Sequence, residues 1–314
     1  MKIDIHQHHW TVPLLAALGT RTSPPFARAD DGDWILTLAG EADTRLTLDD
    51  LDIQARAERL AAAGFDAAVL AISSPAGIED LPVSESRPLI EAHLEGVRRL
   101  AAVPGPRLLH WGVGSAWRVD TGEVDAQLSA GAVGWSIPAG AIAAPEGFER
   151  QRELLAYLEE CDAPLFVHPG PGPFSELAIG SPKLAWWPAL TRYVAEMSAA
   201  WHAFVAVGRE RHPKLRVVFA MLAGLAPLHI ARLDSRGGPA GAAFDPLLWY
   251  DTSSYDARTI EAVSGIVGPG QIVFGSDAPV IESEDLPREL VERAAGDNAA
   301  RLFGPRLAAL GVAR

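Results

Sequence analysis

One feature constrains the fold more than any other: along the whole chain, short β-branched or apolar runs end in polar, Gly or Pro residues and give way to longer Ala/Leu/Glu/Arg-rich stretches. Eight runs are predicted as strands, at 2–8, 65–72, 107–114, 132–138, 164–168, 216–221, 248–252 and 271–276. Helical stretches fall between most of them, at 48–63 behind a Thr47/Asp49 cap, 88–101, 148–160, 190–210 and 259–267. Strands that alternate with helices pair in parallel, because a crossover of helix length is needed to bring the chain back in the same direction. No G-x-G-x-x-G or Walker-type loop follows the first run, so the expectation is a closed (β/α)8 TIM-type barrel and not an open doubly wound sheet.

A barrel accounts for all 314 residues as one domain, 1–314, and no linker, repeat or low-complexity tract argues for a cut. Two connections are too long for plain loops, 10–47 and 169–188. In the first, 33–38 and 44–48 flank Ala39-Gly40-Glu41 and read as a small β-hairpin insertion after strand 1, spanning about 33–48. The second, rich in Pro and Gly, reads as a lid-like loop. Trp186 and Trp187 near its end suit either a lid or subunit contact, or packing of the next helix on the barrel.

With 48% hydrophobic residues and a mean hydropathy of +0.10, the chain can bury a large core. Its 27 Lys and Arg against 40 Asp and Glu leave a net charge of −13, which repels phosphate backbones and anionic headgroups. A small-molecule substrate is therefore expected, with neither nucleic acid nor membrane as partner. A lone cysteine, Cys161, excludes an internal disulfide and a cysteine zinc ribbon, and is read as buried and inert. No signal-peptide pattern opens the sequence and the longest apolar stretch, 217–228, is short for a bilayer, so a cytoplasmic location is expected.

The chemistry is read from strand ends. The first strand closes on His6-Gln7-His8, and side chains at i and i+2 of a strand point the same way, into the pocket at a barrel's C-terminal mouth. His168 closes the fifth strand and Asp277 the eighth. Each alone could be a buried structural histidine or a helix cap; all four at strand ends of one barrel favour a shared site. Three imidazoles and a carboxylate suit one borderline divalent ion, Zn2+ first, with a position left for water. Asp277 is the favoured proton acceptor. Asp251, ending strand seven, reads equally as a partner of a ligand histidine or as the start of a loop. Asn298 is expected to cap the last helix, and His93, His202 and His212 are read as solvated.

Taken together, Asp4-Ile5-His6-Gln7-His8, Gly131-Ala132-Val133-Gly134, Phe166-Val167-His168-Pro169, Asp251-Thr252-Ser253, Gly275-Ser276-Asp277-Ala278-Pro279 and Asn298 to Phe303 resemble the amidohydrolase superfamily. The likeness is to the amidohydrolase-related branch that contains aminocarboxymuconate semialdehyde decarboxylase, and it covers nearly the whole chain. It implies a metal-dependent barrel with His6, His8, His168 and Asp277 as ligands, hydrolysis or nonoxidative decarboxylation of a small substrate, and a homodimer. One departure stands out: where such sequences end strand six with a histidine, this one has Met221, which cannot exchange a proton. His110 on strand three is a candidate catalytic substitute. With Gly134 to Ile137 and Met221 where a bridging group and a further histidine would sit, one metal at most is expected.

Hydrolysis of an amide, ester or lactone is the leading expectation, since it needs only an activated water and a carboxylate to carry the proton. The alternatives are decarboxylation of a small aromatic or unsaturated acid, with Arg232, Arg258 or Arg21 gripping the carboxylate, and a degenerate noncatalytic barrel.

Overall fold

Strand β1 (Ile3–His8) is buried at all six positions, as a strand covered on both faces must be. In this computed structural model, which describes residues 1–174, 184, 186–281, 285–309 and 311, β1 is followed by a small antiparallel sheet. Its strands are β2 (Phe26–Asp30), β3 (Asp33–Thr37) and β4 (Thr44–Leu46). The remaining strands are β5 (Ala67–Ala71), β6 (Arg107–Gly112), β7 (Ala132–Pro138), β8 (Leu165–His168), β9 (Val217–Phe219), β10 (Leu248–Asp251) and β11 (Ile272–Val273). With β1 they form one sheet in the order β1-β5-β6-β7-β8-β9-β10-β11, every neighbouring pair parallel.

The ring closes through the chain around and beyond β11. Ile5 donates its amide to Phe274 (2.9 Å), His8 to Ala278 (2.8 Å), and Asp277 to the carbonyl of His6 (2.9 Å). The (β/α)8 barrel is thus the observed architecture, each of the eight expected strands being present. Its interior is filled: Trp111 stacks on Phe166 at 5.1 Å between centroids and donates its indole N–H to the carbonyl of Ile5. Gly134 on β7 has no room for a side chain, since a Cβ there would lie 2.4 Å from the Pro164 carbonyl oxygen.

Beside the barrel mouth, the insertion forms its hairpin from β3 and β4, with a third strand that the expected range of about 33–48 omits. β2 pairs with β3 from Phe26 opposite Thr37 to Asp30 opposite Asp33, through a two-residue Asp31-Gly32 turn with φ of 49° and 94°. Such a turn needs positive φ twice, which Asp tolerates and Gly adopts freely. The sheet buries Ala27, Leu36, Leu38 and Leu46 against Trp10 and the helix Val12–Leu18.

Other expectations shift in detail. The helix expected at 48–63 is two, Leu48–Leu51 and Ile53–Ala62, because Asp52 leaves helical geometry (φ −75°, ψ 92°) and caps the second. The first has Thr47 in a capping box with Asp50 in place of Asp49. Asn298 makes no cap hydrogen bond; its amide instead donates to the carbonyls of Pro269 and Ile272, tying the C-terminal helices to β11. His93 and His212 are buried and not solvated, and Cys161 is partly exposed. Of the lid-like loop, 175–183 and 185 lie outside the described residues; Trp186 and Trp187 are exposed, with their rings 5.6 Å apart. Among the described residues no helix is long and apolar enough to cross a membrane.

Candidate metal centre

The parallel sheet and its closure bring four side chains from three distant parts of the sequence together. His6 and His8 rise from β1, His168 ends β8, and Asp277 follows β11 with φ 58°. The Nε2 atoms are 3.1 Å apart for His6 and His8, 3.2 Å for His8 and His168, and 3.0 Å for His168 and His6. Asp277 Oδ1 lies 3.0 Å from His8 Nε2 and 3.4 Å from His6 Nε2.

The other ring nitrogens decide the protonation. His8 Nδ1 is 3.0 Å from the Ala71 carbonyl oxygen and His168 Nδ1 is 2.8 Å from that of Pro169; a carbonyl only accepts, so both Nδ1 atoms donate. His6 Nδ1 donates to Asp251 Oδ2 at 2.6 Å. In neutral imidazoles, therefore, all three Nε2 atoms are bare and point their lone pairs at one another. Asp277 Oδ1 is buried without a hydrogen-bond partner.

Four electron-rich atoms at this spacing repel unless a cation lies between them. Donors about 2.1 Å from a common ion are separated by about 3.4 Å on a tetrahedral edge and about 3.0 Å at right angles. The five separations given above fall in that interval, and all four ligand atoms lie within 4.8 Å of one another. The four residues fit one divalent ion, and among the described residues they are the one group of His, Cys, Asp and Glu side chains close enough to share one.

Asp251 resolves as a partner of the site. While Oδ2 holds His6, Oδ1 accepts from the Met221 amide (2.8 Å), the Ser253 amide (3.1 Å) and the Ser253 hydroxyl (2.5 Å). Behind β1, buried Asp4 accepts from the amides of His6 and Ser276 and from Gln7. Burial would lower the His6 pKa, but Asp251 and Asp277 outweigh it and hold it above the ordinary histidine value. His168, with His6 and His8 for neighbours as well as its burial, is pushed well below. Burial would raise Asp277; with no ion bound, positive charge on the facing imidazoles, His6 first, and a hydrogen bond from His8 hold it below the usual carboxylate value, so it is ionised at neutral pH.

The cluster floors a cavity of about 270 Å³. Trp10, Leu36, Leu38 and Leu46, all from the N-terminal excursion, give it an apolar lining together with Val280 and Ile281. Met221 lines it, and its backbone begins a run of left-handed residues, φ 48° to 63° from Met221 to Leu225. Arg45, Glu41 and Tyr193 also line it, residues that the strand-end reading does not reach. Arg45 is engaged by Asp30 and Asp33, while Glu41 accepts from Tyr193 Oη (2.6 Å) and pairs with Arg192. Their signal in the sequence is their position in or beside the two long connections.

Not every candidate reaches the site. On β6, Leu109 and Trp111 belong to the barrel core, so His110 between them faces the outer helix layer with Leu108. Its pKa is lowered to about 4, first by burial and then by the charge of Arg98 on the outer helix. His110 is therefore a neutral imidazole behind the barrel wall and does not replace the missing strand-six histidine. Arg21 is held by Glu85 and the Pro25 carbonyl, Arg232 and Arg258 are exposed, and none of the three lines the cavity.

No family model and no curated protein matches the sequence. Solved structures do. The chain is similar to the apo form of IDCase from Metarhizium anisopliae, with a TM-score of 0.71 and 16% identity over 96% of this chain and 97% of that one. It is similar to 5-carboxyvanillate decarboxylase from Sphingomonas paucimobilis (TM-score 0.66, 16% identity, 96% and 98% covered). A third is the 5-carboxyvanillate decarboxylase of Novosphingobium aromaticivorans, solved with manganese and 4-hydroxy-3-methoxy-5-nitrobenzoic acid (TM-score 0.65, 16% identity, 96% of both chains). The chain shares their fold. The likeness runs from end to end.

Proposed function

We propose that the chain is a metal-dependent nonoxidative decarboxylase of a small aromatic or unsaturated acid. One observation carries this reading: three bare Nε2 lone pairs and an unpartnered carboxylate open onto an apolar-walled cavity that has Met221, and no histidine, at the end of β9. The fold shared with decarboxylases of aromatic acids supports it over hydrolysis. His6, His8, His168 and Asp277 would hold one divalent ion. The donor set suits Zn2+, and nitrogen separations close to right-angle geometry suit Mn2+ equally.

An ion bound there would supply Lewis-acid polarisation of a substrate oxygen. The rest falls to the chain. Trp10, Leu36 and Leu38 receive the apolar body of the substrate and exclude water from its carboxylate. The bond from that carboxylate to its carbon breaks, carbon dioxide leaves, and the electron pair stays on the carbon. Asp277, ionised at neutral pH, takes up a proton from the substrate or solvent and passes it to that carbon.

Hydrolysis stands as a second reading because the same low-pKa Asp277 could take a proton from water. A panel of aromatic acids, esters and lactones separates the two: carbon dioxide release is expected from an acid, and acid release from an ester or lactone without it would overturn the proposal. Elemental analysis should find one metal per chain; none after reconstitution would mean a degenerate barrel. We also propose a homodimer, supported by the exposed Trp186 and Trp187 and testable by light scattering.

A further inference from the structure

His6 and His8 have obvious partners for their outer nitrogens, a carboxylate and a backbone carbonyl, but the partner of His168 is itself held by a charge. The His168 Nδ1–H donates to the carbonyl of Pro169 at 2.8 Å, and the amide N–H of Gly170 donates to Glu196 Oε2 at 3.1 Å. That carbonyl and that N–H belong to one peptide group. Glu196 is 1% exposed and lies on the helix Arg192–Ala203, with Arg192 Nε 4.0 Å from its other oxygen. The peptide cannot drift from this position. A Cβ on residue 170 would come within 2.7 Å of Ser74 Cβ, and the Gly170 carbonyl accepts from Gly140 at 2.9 Å.

We propose that Glu196 is a positioning residue for His168 that acts through the Pro169–Gly170 peptide. A carboxylate on the N–H end of a peptide pulls its proton outward and pushes electron density to the carbonyl oxygen. The enriched carbonyl binds the His168 Nδ1–H more tightly, which holds the ring in its tautomer and makes Nε2 a stronger donor. Asp251 does the same for His6 by direct contact. Two of the three imidazoles thus have carboxylate support, one direct and one relayed across a single amide plane.

The inference rests on the metal-site reading above, and the test separates the two. Glu196→Gln keeps the length and an acceptor oxygen but removes the charge. Its dissociation constant for Zn2+ or Mn2+, measured by competition with a coloured chelator, should rise about tenfold. The cobalt-substituted protein should show a shifted d–d spectrum, and the thermal midpoint of the metal-free variant should match that of the parent. Unchanged metal affinity and spectrum in the variant would overturn the relay while leaving the metal site intact; failure of the unmodified chain to bind metal would overturn the metal-site reading itself. Should Glu196→Gln not fold, the Gly170 amide proton of the unmodified protein is followed by NMR. It should move downfield on metal loading as the peptide polarises, and an amide indifferent to the metal would refute the relay.

Discussion

Acid should destabilise this barrel through a histidine outside its centre. His93, on the helix Val83–Leu100, is completely buried, and neither ring nitrogen has a hydrogen-bond partner. Its pKa is lowered from 6.5 to about 3, by burial first and then by the neighbouring His110, His8 and His9. Above pH 6.5 the ring is neutral in both folded and unfolded chains and contributes no pH dependence. Below it the unfolded chain gains a proton that the folded chain refuses until about pH 3, so stability falls with pH across that window. Each pH unit below 6.5 costs about 1.4 kcal/mol, hence about 2 kcal/mol at pH 5. His93→Leu, close in volume and matched to Leu89, Ile90 and Leu94 around it, removes the proton site. Urea unfolding followed by tryptophan fluorescence at pH 7 and pH 5, with chelator present so that metal loss plays no part, gives the comparison. The drop in stability between the two pH values should be about 2 kcal/mol smaller in the variant than in the parent. Equal drops in the two proteins would refute the reasoning.

Three further outcomes are expected. Asp251→Asn leaves His6 Nδ1 without its carboxylate and should weaken metal binding by about 10- to 100-fold in chelator competition; affinity within twofold of the parent would contradict the role given to Asp251. Met221→His restores a proton-exchanging group beside the cavity, so ester or lactone hydrolysis should rise by about tenfold or more while metal content stays at one per chain, and an unchanged ratio of hydrolysis to carbon dioxide release would count against the mechanism. Gly134→Ala forces a Cβ against Pro164 and Trp111 and should cost about 1–3 kcal/mol in urea unfolding; a neutral result would show that β7 has slack there.

Strand ends were legible because a period of two places His6 and His8 on one side and because barrel chemistry gathers at C-terminal ends. The same period misleads at His110. Alternation says which residues share a face but not which face looks inward, and on β6 the bulk of Trp111, stacked on Phe166, takes the interior. β2 was within reach of the sequence, since Asp31-Gly32 is a strong hairpin signal. Asp251 was legible only as one of two equal readings, because it meets its histidine across 245 positions, and Glu196 not at all, because it meets a peptide whose orientation no pattern of side chains records. Arg45, Glu41 and Tyr193 escaped for a related reason, because the cavity wall is made by folding the long excursions back over the mouth.

The seam where the chain's last strand meets its first has a consequence for assembly. His6 and His8 come off the ribosome well ahead of their fourth companion, Asp277, which follows about 270 positions later along the chain and whose own amide is clasped by His6. A chain cut short before that point holds three rings with nothing to gather them. Loading with an ion therefore belongs to the final moments of folding, and once done it acts as a rivet between the two ends of the ring, so that chelation should loosen the seam before it disturbs the strands on the opposite side.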